Sequence, residues 1–313
     1  MALALGARAN QRSAATAARR PRHPVVMRLR ASIVGLATAL IWLGPAAVSA
    51  VARPSADVAA LQVALRAADV FAGTVDGIRG PATIAAVRSV QRRAGLAADG
   101  ILGPRTRRTL GRRGRHRYGS RPMRSGHVGW DVAALQFKLA VHGFPSGSFD
   151  GVLGPRAVAA LRRFQRWARL ESDGVAGRTT LRALRARPAV SPVRLRAPLH
   201  APIGDGFGPR GARFHAGVDF LAPAGRSVAS AGSGRVASTG FSRSGWGNFV
   251  IVRHRFGLRT LYAHLSSISV RTGTVVAAGT RIGRVGATGT ASGPHLHLEV
   301  LLRGANVDPL SAL

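Results

Sequence analysis

The sequence predicts a multidomain protein in which two small all-α three-helix modules precede a mainly antiparallel β domain. Three observations predict this fold class. A segment of about 55 residues recurs after 74 residues without a gap, and its apolar residues recur at helical spacing. Beyond residue 200 the pattern changes to short β-branched runs separated by glycine-containing turns. With 46% hydrophobic residues the chain can bury cores, which excludes a disordered tail.

Short identical stretches define the repeat. Residues 57–62 and 131–136 both have the sequence DVAALQ. At the same offset, Asp-Gly, Gly-Pro and Gln recur, at 76–77 and 150–151, at 80–81 and 154–155, and at 91 and 165. In the first copy we expect Asp57 to be the N-cap of helix one and Pro81 to lie in the first turn of helix two. In the second copy Ala157 replaces Thr83, and Gly177-Arg178 lacks the expected proline, which weakens the start of its third helix.

The segment after residue 200 contains the strand signals. Runs rich in apolar and β-branched residues, bounded by turn residues, predict strands at 227–230, 234–239, 248–254, 259–265, 275–276 and 281–285. Stretches rich in Arg, Pro, Gly and Ser predict linkers. The resulting boundaries are 53–113 for module 1, 114–128 for a linker, 129–186 for module 2, 187–200 for a second linker, and 201–313 for the β domain.

Charge and cysteine content limit the function. The chain has 46 Lys+Arg against 12 Asp+Glu, a formal net charge of +34, and favours anionic polymers such as nucleic acid, a membrane surface or an anionic cell wall. With no cysteine, disulfides, thiolate metal sites and thiol nucleophiles are excluded. Any metal site must therefore use His, Asp or Glu.

The N-terminal region indicates the compartment. Basic residues at 28 and 30, an apolar run over 31–43 and small residues up to 52 predict a signal peptide at 27–52. The alternative is an uncleaved membrane anchor, although the run is shorter than the roughly 20 residues that span a bilayer. Residues 1–26 are expected to be a disordered upstream extension. Export makes the protein secreted or wall-associated, disfavours nucleic acid as partner, and favours anionic wall polymer.

Three histidine-containing segments of the β domain suggest chemistry: HAGVD at 215–219, YAHL at 262–265 and PHLHLE at 294–299. Because side chains alternate along a strand, His295 and His297 are expected to share one face. A loop leading into a strand can bring His215 and Asp219 together. His, Asp and His form a ligand set suited to catalytic zinc, which takes three protein ligands and a water.

Both parts of the chain resemble known families. Segments 57–110 and 131–184, with their Asp-Gly-x-x-Gly turns, resemble the three-helix peptidoglycan-binding domain, which tethers enzymes to the wall. The histidine segments, with Phe207-Gly208-Pro209-Arg210 and Gly286-Ala287-Thr288-Gly289, resemble the lysostaphin/LytM-type zinc endopeptidases of peptidoglycan. This resemblance implies one Zn²⁺ and a role for each of five residues. The implied ligands are His215, Asp219 and His297, and the implied catalytic histidines are His264 and His295.

The expected function is therefore that of a secreted, zinc-dependent endopeptidase that hydrolyses amide bonds in peptidoglycan stem peptides or cross-links. One alternative is a non-catalytic peptidoglycan-binding activator of another hydrolase, but such proteins typically lack ligands. A nucleic-acid-binding protein would require the signal peptide to be absent. Glu299 is expected either to support a ligand histidine or to form a structural salt bridge. Arg210 and Asn248 are candidates for substrate contact, and His254 is expected to lie outside the site.

Overall fold

The computed structural model describes residues 54–243 and 245–313. The predicted extension (1–26) and signal peptide (27–52) lie outside the described residues. Six α-helices form the N-terminal part, namely α1 (Ala56–Ala67), α2 (Pro81–Arg93), α3 (Pro104–Thr109), α4 (Trp130–Val141), α5 (Pro155–Trp167) and α6 (Arg178–Ala183). This confirms three helices per module, including α6, which forms without a proline at its start. Within the described ranges, no helix is long and apolar enough to cross a membrane.

A buried glutamine organises each turn of the modules. Gln62, Gln91, Gln136 and Gln165 each donate a side-chain N–H to the aspartate of an Asp-Gly turn, at 2.6–2.8 Å. Each side-chain oxygen accepts a hydrogen bond from the following glycine N–H at 2.8–2.9 Å. The 74-residue repeat therefore contains a shorter internal repeat of one glutamine and one turn. These bonds satisfy buried polar groups and fix the entry into the next helix.

The start of α1 differs from the prediction. Its N-cap residue is Ser55 rather than Asp57, and Asp57 lies in the first turn. There the Asp57 carboxylate accepts a hydrogen bond of 2.9 Å from Nε1 of Trp130. Trp130 is the first residue of α4 in the second module. Asp57 thus connects the two modules instead of capping its own helix.

The two modules pack through α1 and α4, the first helix of each. Small side chains on these helices, such as Ala60 and Ala134, are fully buried and allow a close approach. Trp130 and Phe137 of module 2 belong to the same apolar cluster as the core of module 1. A second cluster around Phe144, Leu161 and Phe164 fills module 2.

Eleven strands follow: β1 (Gly208–Arg210), β2 (Arg213–His215), β3 (Val218–Phe220), β4 (Ser227–Ala229), β5 (Gly234–Ser242), β6 (Gly247–Arg253), β7 (Leu258–Ile268), β8 (Val275–Val276), β9 (Arg281–Val285), β10 (Leu296–Leu302) and β11 (Ala305–Val307). β1 and β2 form a hairpin, and the other nine form one sheet whose pairings are antiparallel. The order β11-β10-β7-β6-β5-β8 forms its main path, with β3 against β10 and β9 against β7. The predicted antiparallel β domain is confirmed.

Connecting segments also contribute to the cores. Met123, in the segment between the modules, is fully buried in module 2 and exchanges two backbone hydrogen bonds with Ala176, at 3.2 and 2.9 Å. Leu195 and Leu199, before the first strand, are buried in the core of the β domain. The helical modules and the β domain are therefore joined by packed chain.

Candidate metal centre and cleft

Strands β3 and β10 build the centre of the site. They pair so that Asp219 lies directly opposite His297. On each strand the neighbouring residues point to the other face, where Val218, Phe220, Leu296 and Leu298 are buried in the core. The apolar–polar alternation therefore forces the carboxylate and the imidazole onto the same face of the sheet, side by side.

His215 completes a cluster of three. It is the last residue of β2, and its Nε2 lies 3.0 Å from Nδ1 of His297 and 3.2 Å from Oδ1 of Asp219. Nδ1 of His297 lies 2.8 Å from the same Asp219 oxygen. One ligand atom from each of the three residues falls within 4.8 Å of the others, and all three residues are buried. The structure thus brings together the three residues expected to bind zinc.

Hydrogen bonds on the outer side of each imidazole fix its orientation. Nδ1 of His215 donates to the carbonyl of Gly206 at 2.8 Å, which leaves Nε2 directed to the cluster. Nε2 of His297 donates to Oε1 of Glu299 at 3.2 Å, which leaves Nδ1 for the cluster. Glu299 also accepts hydrogen bonds from Trp246 Nε1 at 3.2 Å and Asn306 Nδ2 at 2.8 Å. Glu299 therefore orients a candidate ligand and is itself held in place.

Electrostatics in the cluster follow from burial and pairing. Burial alone would lower the pKa of His297, but its hydrogen bonds to Asp219 and Glu299 outweigh burial and raise the pKa to about 9. Burial alone would raise the pKa of Asp219, but hydrogen bonds from His215 and His297 lower it well below its usual range. The carboxylate is therefore charged at neutral pH and attracts a cation.

A β-bulge places His264 at the site. In a regular strand Tyr262 and Leu265 would lie on opposite faces, yet both are buried in the core. The pairing of β6 with β7 shifts register between Asn248 and Val250, and His264 has a positive φ of 62°. The bulge therefore inserts one extra residue and turns the His264 imidazole toward the cleft. Burial lowers the pKa of His264, so its neutral form prevails at neutral pH.

His264 and His295 form a pair beside the cluster. Their ring centroids are 4.7 Å apart, and Nε2 of His295 lies 3.8 Å from Oδ1 of Asp219. Nδ1 of His264 donates to the carbonyl of Thr288 at 2.8 Å, and Nδ1 of His295 donates to that of Gly293 at 2.9 Å. In the neutral form of either ring, Nε2 is therefore unprotonated and can accept a proton. Two such nitrogens next to a candidate metal centre suit proton transfer.

The three residues of the cluster line a cleft of about 890 Å³. Its lining includes residues that the sequence patterns did not single out as site residues, among them Asp205, Arg213 and Trp246. Trp246 lies in a turn before β6 and has no motif of its own, so only its contact with Glu299 identifies it. Pro145 and Gly147, from module 2, also line the cleft, and no pattern near them signals a site.

Of the other residues discussed for the site, Arg210 lines the cleft, whereas Asn248 and His254 do not. Arg210 lines the cleft, and its Nη1 lies 2.8 Å from Asp205 and 3.5 Å from Asp219. Asn248 instead donates from Nδ2 to the carbonyl of Leu265 at 2.9 Å, which supports the bulge rather than the cleft. His254 bonds to the carbonyl of Ser233 and to Thr260, away from the cleft lining.

The chemistry of the donor set fits zinc. Two imidazole nitrogens and one carboxylate oxygen converge, and the remaining nitrogen of two rings is fixed by an acceptor. This is the three-ligand set of catalytic zinc sites, which leave the fourth position open. Softer thiolate ligands are absent from the whole sequence.

Comparisons with known proteins agree with this division of the chain. Residues 213–309 match the sequence model of "Peptidase family M23". Residues 54–110 and 129–184 match the model described as "Putative peptidoglycan binding domain". The two matches of the second model coincide with the two copies of the repeat.

Curated relatives match through the β domain. The DD-carboxypeptidase/endopeptidase Mpg of Neisseria meningitidis is 44% identical over 99 residues, which are 32% of this chain and 23% of the relative. The peptidoglycan DD-endopeptidase ShyA of Vibrio cholerae is 42% identical over 98 residues, 31% of this chain and 23% of the relative. The chain therefore spans about a quarter of the length of these relatives.

Solved structures also align with part of the chain. The catalytic domain of lysostaphin from Staphylococcus simulans aligns with 34% identity and a TM-score of 0.34, covering 35% of this chain and 90% of that domain. Residues 213–309 form a domain of peptidase family M23, and it follows two domains of the peptidoglycan-binding family.

Proposed function

We propose that the chain is a zinc-dependent endopeptidase that hydrolyses amide bonds in peptidoglycan stem peptides or cross-links. The observation that carries the proposal is the convergence of His215, Asp219 and His297, within 4.8 Å, beside the free Nε2 atoms of two further histidines. The relatives Mpg and ShyA are a DD-carboxypeptidase/endopeptidase and a peptidoglycan DD-endopeptidase, which favours the D,D cross-link as the bond cleaved. Because the chain covers only a quarter of those relatives, the bond remains part of the proposal.

In this proposal each residue has a distinct task. His215, Asp219 and His297 hold one zinc ion, which when bound acts as a Lewis acid and lowers the pKa of a coordinated water. His264 and His295 exchange protons at Nε2, one accepting a proton from the nucleophile and one returning a proton to the leaving amine. Glu299 holds the His297 ring through its Nε2–H. The lowered pKa of His264 supports its neutral, proton-accepting form.

The two modules are proposed to bind peptidoglycan and thereby concentrate the peptidase on its substrate. The high positive charge of the chain supports additional attraction to anionic wall polymer. Both tasks require export, so we propose an extracytoplasmic location, with a membrane contact only through residues 27–52 if they are not removed. Nucleic acid is not proposed as a partner.

The test is digestion of purified, chemically defined peptidoglycan, with products identified by mass spectrometry. The wild-type chain is expected to release products of amide cleavage, and His297→Ala is expected to release none. His200→Ala, an exposed histidine outside the cleft lining, is the matched control and should behave as wild type. A chelator should abolish activity and added zinc should restore it. Equal release by wild type and His297→Ala would exclude catalysis at this site and favour the non-catalytic activator.

A further inference from the structure

The cleft of the M23 domain has a wall from outside that domain. Pro145 and Gly147 lie in the loop between α4 and α5 of module 2, and both line the cleft together with His215, His264 and His297. A tether that merely brings an enzyme to its substrate does not need to reach the catalytic cleft. Hydrogen bonds and buried apolar contacts between the modules and the M23 domain hold this loop at the cleft.

The modules hold the β1–β2 hairpin at its turn. The N–H of Val75 donates to the carbonyl of Gly211 at 2.8 Å, and the N–H of Phe149 donates to the carbonyl of Ala212 at 2.7 Å. Val75 and Phe149 occupy the same position of the 74-residue repeat. The two copies therefore use equivalent backbone groups to bind two consecutive carbonyls of one turn. The same hairpin ends in the candidate ligand His215, so the modules fix the segment that presents it.

Apolar burial supports the hairpin contact. Phe214, the residue before His215, packs against the apolar cluster shared by both modules. Ala305 of β11 is fully buried in the core of module 2. Apolar side chains of the M23 domain thus contribute to two module cores, as expected for a lasting interface rather than a flexible linkage.

A glycine marks the closest approach between the two parts. Gly143 follows α4 with a φ of 87°, and its carbonyl accepts the N–H of Asn306 at 3.0 Å. A Cβ at Gly143 would lie 2.2 Å from the Asn306 carbonyl oxygen. The equivalent position in module 1 is Asp69, which adopts a φ of 55° with a side chain. Glycine at 143 is therefore required by the contact with Asn306 and not by the backbone conformation alone.

This contact continues to the catalytic cluster. The side-chain amide of Asn306 donates to Oε2 of Glu299 at 2.8 Å and to the carbonyl of Ala216 at 3.2 Å. Glu299 in turn accepts from His297. Module 2 is thus connected through a single residue, Asn306, to Glu299, which orients the candidate ligand His297. This connection is separate from the residues of module 2 that line the cleft.

We propose that the catalytic cleft is composite: the Pro145–Gly147 segment of module 2 forms a substrate-contacting wall, so that one peptidoglycan fragment touches the module and the M23 domain together. This inference rests on the proposed function and specifies its substrate-binding site. The segment carries no charged side chain, whereas the M23 side of the cleft presents Asp205, Arg210 and Arg213. The side chains of this segment therefore offer the substrate no ion pair, and the charged groups of the substrate would be bound by the M23 residues of the cleft.

The test uses the full chain and a soluble, purified cross-linked muropeptide dimer, because a soluble substrate removes the advantage of tethering. Pro145→Trp places a bulky side chain in the part of the cleft that the substrate is proposed to occupy. We therefore expect KM for the dimer to rise by about tenfold or more, as for overpacking of a close contact. The dissociation constant of the dimer for the chelator-treated chain, measured by calorimetry, is expected to rise in parallel. Ala159→Trp, at an exposed position of α5 that does not line the cleft, is the matched control and should change neither value.

Pro145→Ala provides a second variant with little risk to folding, and is expected to weaken binding of the dimer by a few-fold through lost contact. Sedimentation with insoluble peptidoglycan should be unchanged in both Pro145 variants, since tethering is intact. Unchanged KM and dissociation constant in Pro145→Trp would overturn the composite cleft while wild-type cleavage upholds the proposed function. Tighter binding by Pro145→Ala would also overturn it, because the loop would then obstruct the substrate. If no variant cleaves the dimer, the proposed function fails, and the binding measurement still decides the wall.

Discussion

The two tyrosines of the chain show how the surroundings of one hydroxyl determine its contribution to stability. Tyr262 is fully buried, and its oxygen accepts the N–H of Ala231 at 2.7 Å and the hydroxyl of Thr260 at 2.9 Å. Tyr118 also has a buried hydroxyl, but that oxygen has no hydrogen-bond partner in the described structure. Burial raises the pKa of both tyrosines, so both stay neutral at physiological pH.

Tyr262→Phe is expected to lower the free energy of unfolding by about 1–3 kcal/mol, because the buried N–H of Ala231 would lose its acceptor. Tyr118→Phe removes a hydroxyl that is already unpaired and is expected to be neutral or slightly stabilising. Urea-induced unfolding of both variants, followed by circular dichroism, measures the difference. Equal losses in the two variants would contradict the hydrogen-bond argument.

Glu299 is the residue whose effect on the metal centre can be isolated. Glu299→Gln removes the charge that holds Nε2–H of His297, and the affinity for zinc is expected to fall about 10–100-fold, as for other residues that orient a metal-bound histidine. Competition with a chromogenic chelator measures the affinity without requiring substrate. Glu171→Gln changes the only other glutamate, which is exposed on module 2, and should leave zinc affinity unchanged. The same affinity in Glu299→Gln as in wild type would assign Glu299 a purely structural role.

At the residue scale the sequence predicts which side chains lie together in the site, but not the backbone geometry that brings each of them there. Alternation along β10 and the residue before it places His295, His297 and Glu299 on one face, as expected. His264 is different, because a regular strand would place it on the face of Tyr262, in the core. The bulge that moves it depends on the pairing with β6, which is a long-range contact that local spacing does not show.

At the scale of the helix and turn, local patterns predict most of the structure. Gly-Pro pairs start α2 and α5, and the predicted strands agree with β4 to β9 within a few residues, because turn chemistry and periodicity act locally. The prediction that Asp57 is an N-cap is wrong, because its actual partner, Trp130, is 73 residues away. The sequence shows that Ala157 replaces threonine in the second copy. Only the structure shows the consequence, which is that Gln136 lacks a hydrogen-bond partner that Gln62 has.

Ala157 removes one partner from a repeated network. In module 1, Nε2 of Gln62 lies 3.2 Å from Oγ1 of Thr83, whereas the equivalent Gln136 of module 2 has an alanine there. Gln136 and Ala157 line a surface cavity of about 350 Å³, so space exists for a larger side chain. The second module therefore lacks a hydrogen bond that the first module has.

Ala157→Thr is expected to restore the hydrogen bond and to stabilise module 2 by about 0.5–1.5 kcal/mol. Thr83→Ala, the reverse change in module 1, should destabilise that module by a similar amount. Native-state hydrogen exchange at the amides of Gly77 and Gly151, which donate to Gln62 and Gln136, reports each module separately. Loss of protection in Ala157→Thr, or no change in Thr83→Ala, would show that threonine at this position does not support the glutamine.

At the scale of the whole molecule, the sequence predicts the parts and not their arrangement. The contacts that join the modules and the M23 domain are mainly backbone groups, such as those of Val75, Phe149 and Gly143, together with small or single apolar side chains. The hydroxyl of Thr74 adds a side-chain acceptor for the N–H of Gly211, at 3.3 Å. Backbone groups are present at every position and therefore leave no pattern. Gly143 is the exception, since the repeat has a non-glycine residue at the equivalent position with the same sign of φ.

Two glycines that occupy similar positions after a helix, but have different neighbours, test the interface. Gly143 and Gly95 both follow a helix with positive φ, of 87° and 65°. A Cβ at Gly95 would meet nothing within 4 Å, whereas one at Gly143 would lie 2.2 Å from the Asn306 carbonyl oxygen. Gly95→Ala is expected to cost only the left-handed backbone penalty of about 1–2 kcal/mol. Gly143→Ala should cost more and separate module 2 from β11.

Hydrogen exchange distinguishes the two effects. In Gly143→Ala we expect faster exchange at the amide of Asn306, which Gly143 accepts, and at Phe149, which donates to the hairpin turn. Because Asn306 also holds Glu299, turnover of the soluble muropeptide dimer should fall as well. Gly95→Ala should leave exchange at Asn306 and turnover unchanged. If both variants alter only their own helix ends, the modules and the M23 domain act as independent bodies, and the contacts at Gly143 contribute nothing to catalysis.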